Sequence, residues 1–416
     1  MRIPHPALLL PAALLAAAMA FFLSQWTAAV GQPESWRATD YQLHWAAGRA
    51  WAAGLDPYDP AAVAPIGATT GRDMTPFCAA APLFVRGFAW LGERSFAEGY
   101  RWLLGANTLL LLLSVALLAA ALVRAGVPGA AALAAALALV ACNDGTWMSL
   151  WFNQLNFVTL AALAGALWAG LSGRPRLEGA LLALAAWSKL SPALLIVLAA
   201  VAGRWRTVRA ALVAGLALLG LSLALAGLDA HVSWLAMAQR ELGFAAQRPA
   251  GLFNNSLHAW NLAPNGVLSR AADAAGWSRA VPLAGAWAAA LLAAGVAAFA
   301  LRRVARGAGP DAVVTVFLVH ALGVAAGFLA SGTTWVTHLS TAAVPLACVT
   351  WVTWLGRGGW LVRAGGALAG VLLLLPLGAL GTPEDQRVDI LSKLDGCVLL
   401  LAVLVVAARG LAAQRT

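Results

Sequence analysis

Runs of about 20 apolar residues recur along this chain from one end to the other. Such a run is long enough to cross a bilayer core of roughly 30 Å as a helix. They fall at 7–29, 103–123, 129–142, 155–171, 210–228, 281–300, 312–330, 339–356, 364–380 and 394–409. Two long polar-studded stretches, 30–102 and 229–280, interrupt the pattern. One further apolar segment, 177–202, carries "WSKLSP" in its middle. Pro192 removes a backbone donor and breaks a helical ladder. Broken backbone at membrane depth persists where protein or a water-filled cavity covers it. The pattern therefore predicts an all-α polytopic membrane protein of about 10 full spans. It adds a broken pair of half-helices over 177–202, meeting around Lys189, Ser191 and Pro192.

Composition agrees. Of 416 residues, 62% are hydrophobic and 11% charged, against about 25% charged in a soluble domain. The net charge of +10 would point to nucleic acid in a soluble protein. Here the arginines sit in short loops, where they orient membrane helices, and no nucleic-acid partner is expected. The first apolar run is longer than the roughly 7–15 residues of a signal-peptide core, so it reads as an uncleaved span. The four cysteines are scattered without CxxC spacing and indicate neither a metal site nor a disulfide frame. The whole chain, 1–416, reads as a single membrane domain.

Charge also sets the topology. The basic loops are Arg124, 173–176, 203–209, 302–306, 357–363 and the tail from Arg409. All belong on the cytoplasmic side. If 177–202 crossed once, its two basic flanks would face opposite sides. If it enters and returns, 15 of the 17 acids lie outside, with Glu178 and Asp311 inside. Both termini are then cytoplasmic, and 30–102 and 229–280 are extracytoplasmic loops.

The first loop opens with "TDYQLHWAAGRAWAAGLDPYDP" (39–60). Residues 40–54 have a helical pattern, with Asp40 and His44 on one face. Asp40 suits the positive end of the helix dipole, Gly54 suits a C-cap, and "DPYDP" reads as a Pro-initiated turn. The stretch is an interfacial helix on the outer face. Asp40 is open to two readings, a capping acid or a functional one. Lys189 stands alone among lysines in a span-like segment and is costly there, which makes it a functional candidate. It is placed either to bind a lipid phosphate or to bond the carbonyls freed at the break.

These residues carry a family resemblance. The 39–60 stretch resembles the first-loop motif of the polyprenol-phosphate-dependent glycosyltransferases of family 87, integral-membrane enzymes of the GT-C class. Four further matches follow in order. They are "MTPFCAAAPLF" (74–84), "WFNQLNF…GRPR…WSKLSP…GRWR" (151–206), "GLFNNSLHAW" (251–260) and "TTWVTHLSTAAVPL" (333–346). The chain departs from the pattern in three places. Thr75-Pro76-Phe77 stands for Tyr-Pro-Pro, Thr337-His338 for a paired histidine, and Asn153 for a common glycine.

The resemblance implies a glycosyltransferase at the outer leaflet of a bacterial inner membrane. A sugar, mannose or arabinofuranose-like, would pass from a polyprenyl-phosphate donor to a hydroxyl of a glycolipid or glycan, with inversion. Such a step needs one general base and stabilisation of the leaving phosphate. It does not demand a divalent metal or other cofactor, because a lipid monophosphate carries less charge than a nucleotide diphosphate. Asp40 is the expected base, and His338 its partner or a phosphate contact. Lys189 and Arg49 are candidates for the donor phosphate, Arg49 alternatively for holding the outer helix in place. Amides and imidazoles suited to sugar and acceptor hydroxyls are His44, Asn153, Gln154, Asn156, Asn254, Asn255 and His258. Capping and interhelical bonding are the alternative duties of the amides. Trp335 and Trp260 are candidates to stack on sugar, though most of the 19 tryptophans suit interfacial anchoring. Two other readings stay open: a transporter or flippase of lipid-linked sugars, and a family member that binds lipid without catalysis. Transporters tend to repeat their halves, and no repeat is visible in this chain.

Overall fold

The computed structural model describes residues 19–20, 23–24, 26–28, 30–31, 39–71, 78–241, 261–278, 280–331, 334, 336–356, 359–374 and 383–413. Among them every regular element is a helix. The described residues within 19–31 are helical; after them come α1 (Thr39–Ala52), α2 (Pro60–Ala68) and α3 (Pro82–Gly92), followed by the long α4 (Phe96–Arg124). Next come α5 (Gly129–Ala141), α6 (Asp144–Trp151), α7 (Asn156–Leu171), α8 (Pro175–Ser188), α9 (Ala193–Val201) and α10 (Trp205–Glu241). After α11 (Pro264–Ala274), α12 (Ala280–Ala308) and α13 (Val313–Ala330) comes a 3-10 segment, Val336–Ala342. The last helices are α14 (Ala343–Trp354), α15 (Trp360–Leu374) and α16 (Pro383–Ala413).

Five described segments are long and apolar enough to cross a membrane: Phe96–Arg124, Trp205–Gln239, Ala280–Ala308, Val313–Ala330 and Lys393–Leu411. The pair α5 and α6, bent by 57°, makes a sixth if taken as one broken span. The sequence pattern predicts about ten. Part of the difference is length: α7 and α15 are apolar but shorter than a full span, and the 339–356 run is divided between the 3-10 segment and α14. The 7–29 run falls largely outside the described residues.

α13 is the hub. Nearly all of it is buried, and it packs against α7, α9, α12, α14 and α16. α10 is the opposite case, an apolar helix with Leu212, Val213, Leu216 and Leu228 exposed. An apolar helix with little protein cover belongs in lipid. Its backbone breaks at Gly227, where φ is 79°, and the part beyond leans on the first-loop helices through a Trp234 indole donating to the Ala79 carbonyl.

The segment between α8 and α9 positions the site. α8 ends at Ser188, and Lys189 leaves it in extended backbone. Pro192 then opens α9. The Arg204 guanidinium, just past α9, pairs with the Glu178 carboxylate in the first turn of α8. Thr207 Oγ1 donates to the same carboxylate at 2.8 Å. Arg204 also donates to the Pro310 carbonyl at 2.8 Å and meets Asp311 at 3.1 Å. The segment therefore starts and finishes at one basic end of the molecule, beside the α12–α13 turn. The 14 residues of α8 carry Lys189 about 20 Å from that end, at 1.5 Å per residue. α9 lies close on α13, because a Cβ on Gly323 would fall 2.6 Å from Leu195 Cγ.

α1 is pressed equally closely to α3. A Cβ on Gly48 would lie 2.3 Å from the Phe88 carbonyl oxygen, so glycine alone permits this approach. Gly54, with φ of 73°, ends α1, and the Leu55 N–H reaches back to the Ala50 carbonyl at 2.9 Å. In the turn that follows, Asp56 Oδ1 accepts from the Tyr58 N–H and Asp59 Oδ1 caps α2 through the Ala61 N–H, each at 2.9 Å.

Candidate active site

Three distant pieces of chain converge at the far end of α8 from the Glu178–Arg204 pair. α1 brings Asp40 on its first turn. The turn between α6 and α7 brings Gln154, and the first residue of α7 is Asn156. The α8–α9 break brings Lys189. The Gln154 Nε2 amide donates to Asp40 Oδ2. Gln154 Oε1 accepts from Asn156 Nδ2 at 2.6 Å, and Asn156 Oδ1 accepts from Lys189 Nζ at 2.7 Å. A carboxylate and an ammonium are thus joined by two amides in series. Asn156 is tied further by Ser149 Oγ at 3.0 Å and the Thr337 carbonyl at 3.1 Å.

The 3-10 segment adds His338. It shares with Lys189, Ser191, Thr334 and Thr341 the wall of a cavity of about 20 Å³, large enough for a water. His338 is held by its backbone, whose carbonyl accepts from Thr341 Oγ1 at 2.9 Å. Asn143 Nδ2 donates to the Leu339 carbonyl at 3.0 Å, which pins the same segment to the start of α6. Lys393, fully buried, meets Asp144 at 3.5 Å and stands behind that corner.

Electrostatics follow from this crowding. Withdrawal from water pushes the Asp40 carboxyl up to about 6, against the pull of the Gln154 hydrogen bond and the Lys189 charge. A carboxyl titrating near neutrality is suited to taking and releasing a proton. His44, one turn further along α1, is brought down to about 4 by burial. It is neutral at pH 7, with its Nδ1 3.6 Å from Cys78 Sγ and its ring 4.9 Å from that of Phe88.

Of the residues singled out in the sequence, Asp40, Gln154, Asn156, Lys189 and His338 come together. His44 turns its ring to Phe88 and Cys78, and Asn153 and Arg49 do not join the group. Asn153 is fully buried with φ of 52°. Its Nδ2 donates to the Tyr100 carbonyl and its Oδ1 accepts from Asn107, both at 2.8 Å. It holds the turn to α4, and its backbone throws Gln154 the other way. Arg49 lies over the Trp45 ring at 5.2 Å and reaches the Gly92 carbonyl at 3.4 Å, tying α1 to the end of α3. Asn254, Asn255, His258, Trp260 and Trp335 lie outside the described residues. Among the described residues no group of three or more His, Cys, Asp or Glu is placed to hold a metal.

A bundle of apolar helices with a carboxylate, a lysine and a histidine gathered at one end of a broken helix pair defines a polytopic membrane protein with a buried polar site. The profile of glycosyltransferase family 87 matches residues 76–332, more than half of the chain, and the chain belongs to that family of membrane glycosyltransferases. The match includes Gln154, Asn156 and Lys189 and stops short of Asp40 and His338. No curated protein matches the chain.

Proposed function

We propose that this glycosyltransferase moves a sugar from a polyprenyl phosphate to a hydroxyl of a glycolipid or glycan, with inversion, at the outer leaflet of a bacterial inner membrane. The observation that carries this reading is the line Asp40–Gln154–Asn156–Lys189. It sets a proton acceptor and a cation into one site from opposite ends of a short polar chain.

In the proposed reaction the acceptor hydroxyl gives its proton to the Asp40 carboxylate as its oxygen bonds to the anomeric carbon. The bond from that carbon to the phosphate oxygen breaks, and the electron pair leaves with the polyprenyl phosphate. Lys189 and His338, side by side in the cavity wall, are the groups we assign to the charge gathering on that phosphate. Lys189 keeps two N–H donors beyond the one spent on Asn156. His44, one turn along α1 from Asp40, is the further contact we assign to the sugar or acceptor. No step in this scheme calls for a metal.

The depth of Lys189 supports a lipid donor. A break about 20 Å from the basic end reaches across two-thirds of a core of roughly 30 Å. The Glu178–Arg204 pair supports a segment that enters and returns to the cytoplasmic side, which leaves Asp40 and His338 together on the outer side.

The test is transfer of radiolabelled sugar to membrane lipid extracts from synthetic polyprenyl-phosphate sugars, beside the matching nucleotide sugars. Product from the polyprenyl donors, with the anomeric configuration inverted, is the expected result. Transfer from nucleotide sugars alone would overturn the donor assignment.

A further inference from the structure

An amide has two unlike ends, an accepting oxygen and a donating nitrogen, and its shape alone does not decide which faces which neighbour. At Asn156 both ends are decided by partners that act in one sense. The Lys189 ammonium donates and lies 2.7 Å from Oδ1. The Thr337 carbonyl accepts and lies 3.1 Å from Nδ2. Asn156 therefore turns a donor toward Gln154 Oε1, at 2.6 Å, and Gln154 is left with Nε2 for Asp40. Reversing any member would set two oxygens or two N–H groups against each other.

We propose that Asn156 is a positioning residue: it passes the donor-only character of Lys189 along to Gln154, so that Gln154 offers Asp40 an N–H and never an oxygen. The distinction matters for a base. An N–H stabilises the ionised carboxylate, whereas an amide oxygen would accept from the protonated acid and hold the proton on it. The relay biases Asp40 toward the form that takes a proton, and fixes which carboxylate oxygen remains free. Gln154 and Asn156 are thereby assigned to Asp40 rather than to the sugar. The role rests on Asp40 being the proton acceptor of the proposed transfer, but the geometry and its titration stand without it.

Among the described residues the groups that act on Asp40 are few. Lys189, from the α8–α9 break, is the charge acting on it. His44 lies on its own helix, and His338 lies beside Lys189 in the cavity wall. Asn156→Leu keeps these groups in the chain and removes the link, together with the Asn156 bonds to Lys189, Ser149 and the Thr337 carbonyl; the Gln154→Leu background separates the link from those other losses.

The experiment is an infrared pH titration of the Asp40 carboxyl in the full-length protein in lipid nanodiscs, its band assigned by loss in Asp40→Asn. Asn156→Leu should move the midpoint upward by roughly one pH unit, the scale of a hydrogen bond to a charged group. In a Gln154→Leu background the same substitution should add nothing, because the relay has no other route. An unmoved midpoint in Asn156→Leu, or an equal shift with Gln154 already gone, overturns the proposal. Should Asn156→Leu not fold, Asn156→Ala carries the same arms. The acid limb of kcat, read in parallel, separates the two claims. A moved midpoint without polyprenyl-dependent transfer keeps the relay and removes the donor reading; an unmoved midpoint in an active enzyme does the reverse.

Discussion

If Asp40 takes the acceptor proton, turnover must follow its ionisation. With the carboxyl held up to about 6 by its removal from water, about nine-tenths of it is ionised at pH 7 and about one-tenth at pH 5. The sign is fixed by the role, since a base works deprotonated and activity falls as pH drops through about 6. Between pH 7 and pH 5 the loss is about tenfold. An aspartate at the ordinary value of 3.8 would stay more than about 90% ionised at pH 5 and lose almost nothing. Initial rates at saturating donor and acceptor, from pH 4.5 to 8, separate the two. Asp40→Asn removes the base and should lower kcat by about 10²–10⁴ at every pH, erasing the acid limb. A flat wild-type profile over pH 5–7, or an Asp40→Asn protein within a few-fold of wild type, would refute the reasoning.

Other substitutions probe the scaffold and the donor end. Lys189→Met should raise the KM for the polyprenyl donor about tenfold or more, on the scale of a lost charge-assisted contact; unchanged KM with lowered kcat would shift Lys189 wholly to the relay. Glu178→Gln removes the buried partner of Arg204 and leaves it the exposed Asp311 carboxylate alone; it should cost up to about 3–5 kcal/mol, read as a fall in unfolding temperature in detergent. Gly48→Ala sets a methyl against the Phe88 carbonyl and should destabilise by about 1–3 kcal/mol. It should also lower kcat by displacing Asp40, with thermal unfolding and initial rates as the measurements.

The parts of this site differ in how far the sequence declares them. Lys189 and Pro192 stand out because a cation and a helix breaker are both expensive inside an apolar run. The parity of the spans argues for Asp40 and His338 on one side of the membrane. Nothing comparable divides the three amides. Asn153, Gln154 and Asn156 read as one polar set, and a single residue in left-handed backbone sends the first inward and the second toward Asp40. Left-handed backbone at an asparagine is a local choice that a spacing rule does not register. For Arg49 the sequence leaves open a phosphate contact or a tie for the outer helix, because its charge is visible there and its partners, the Trp45 ring and the Gly92 carbonyl, are not marked as such. The Glu178–Arg204 pair, with His320 3.8 Å from Glu178, leaves only a faint mark in the sequence, an acid at the start of an apolar segment and an arginine just past it. Counting spans by hydropathy exceeds the full-length helices among the described residues because apolar helices such as α7 are shorter than a span and are buried by protein.

The most direct measurement of the central claim is the position of a bound donor. Cryo-electron microscopy of the Asp40→Asn protein with a synthetic polyprenyl-phosphate sugar should show the anomeric carbon facing residue 40 and the phosphate against Lys189 and His338. A donor phosphate bound instead at the basic end, beside Arg174 or Arg204, would contradict the account.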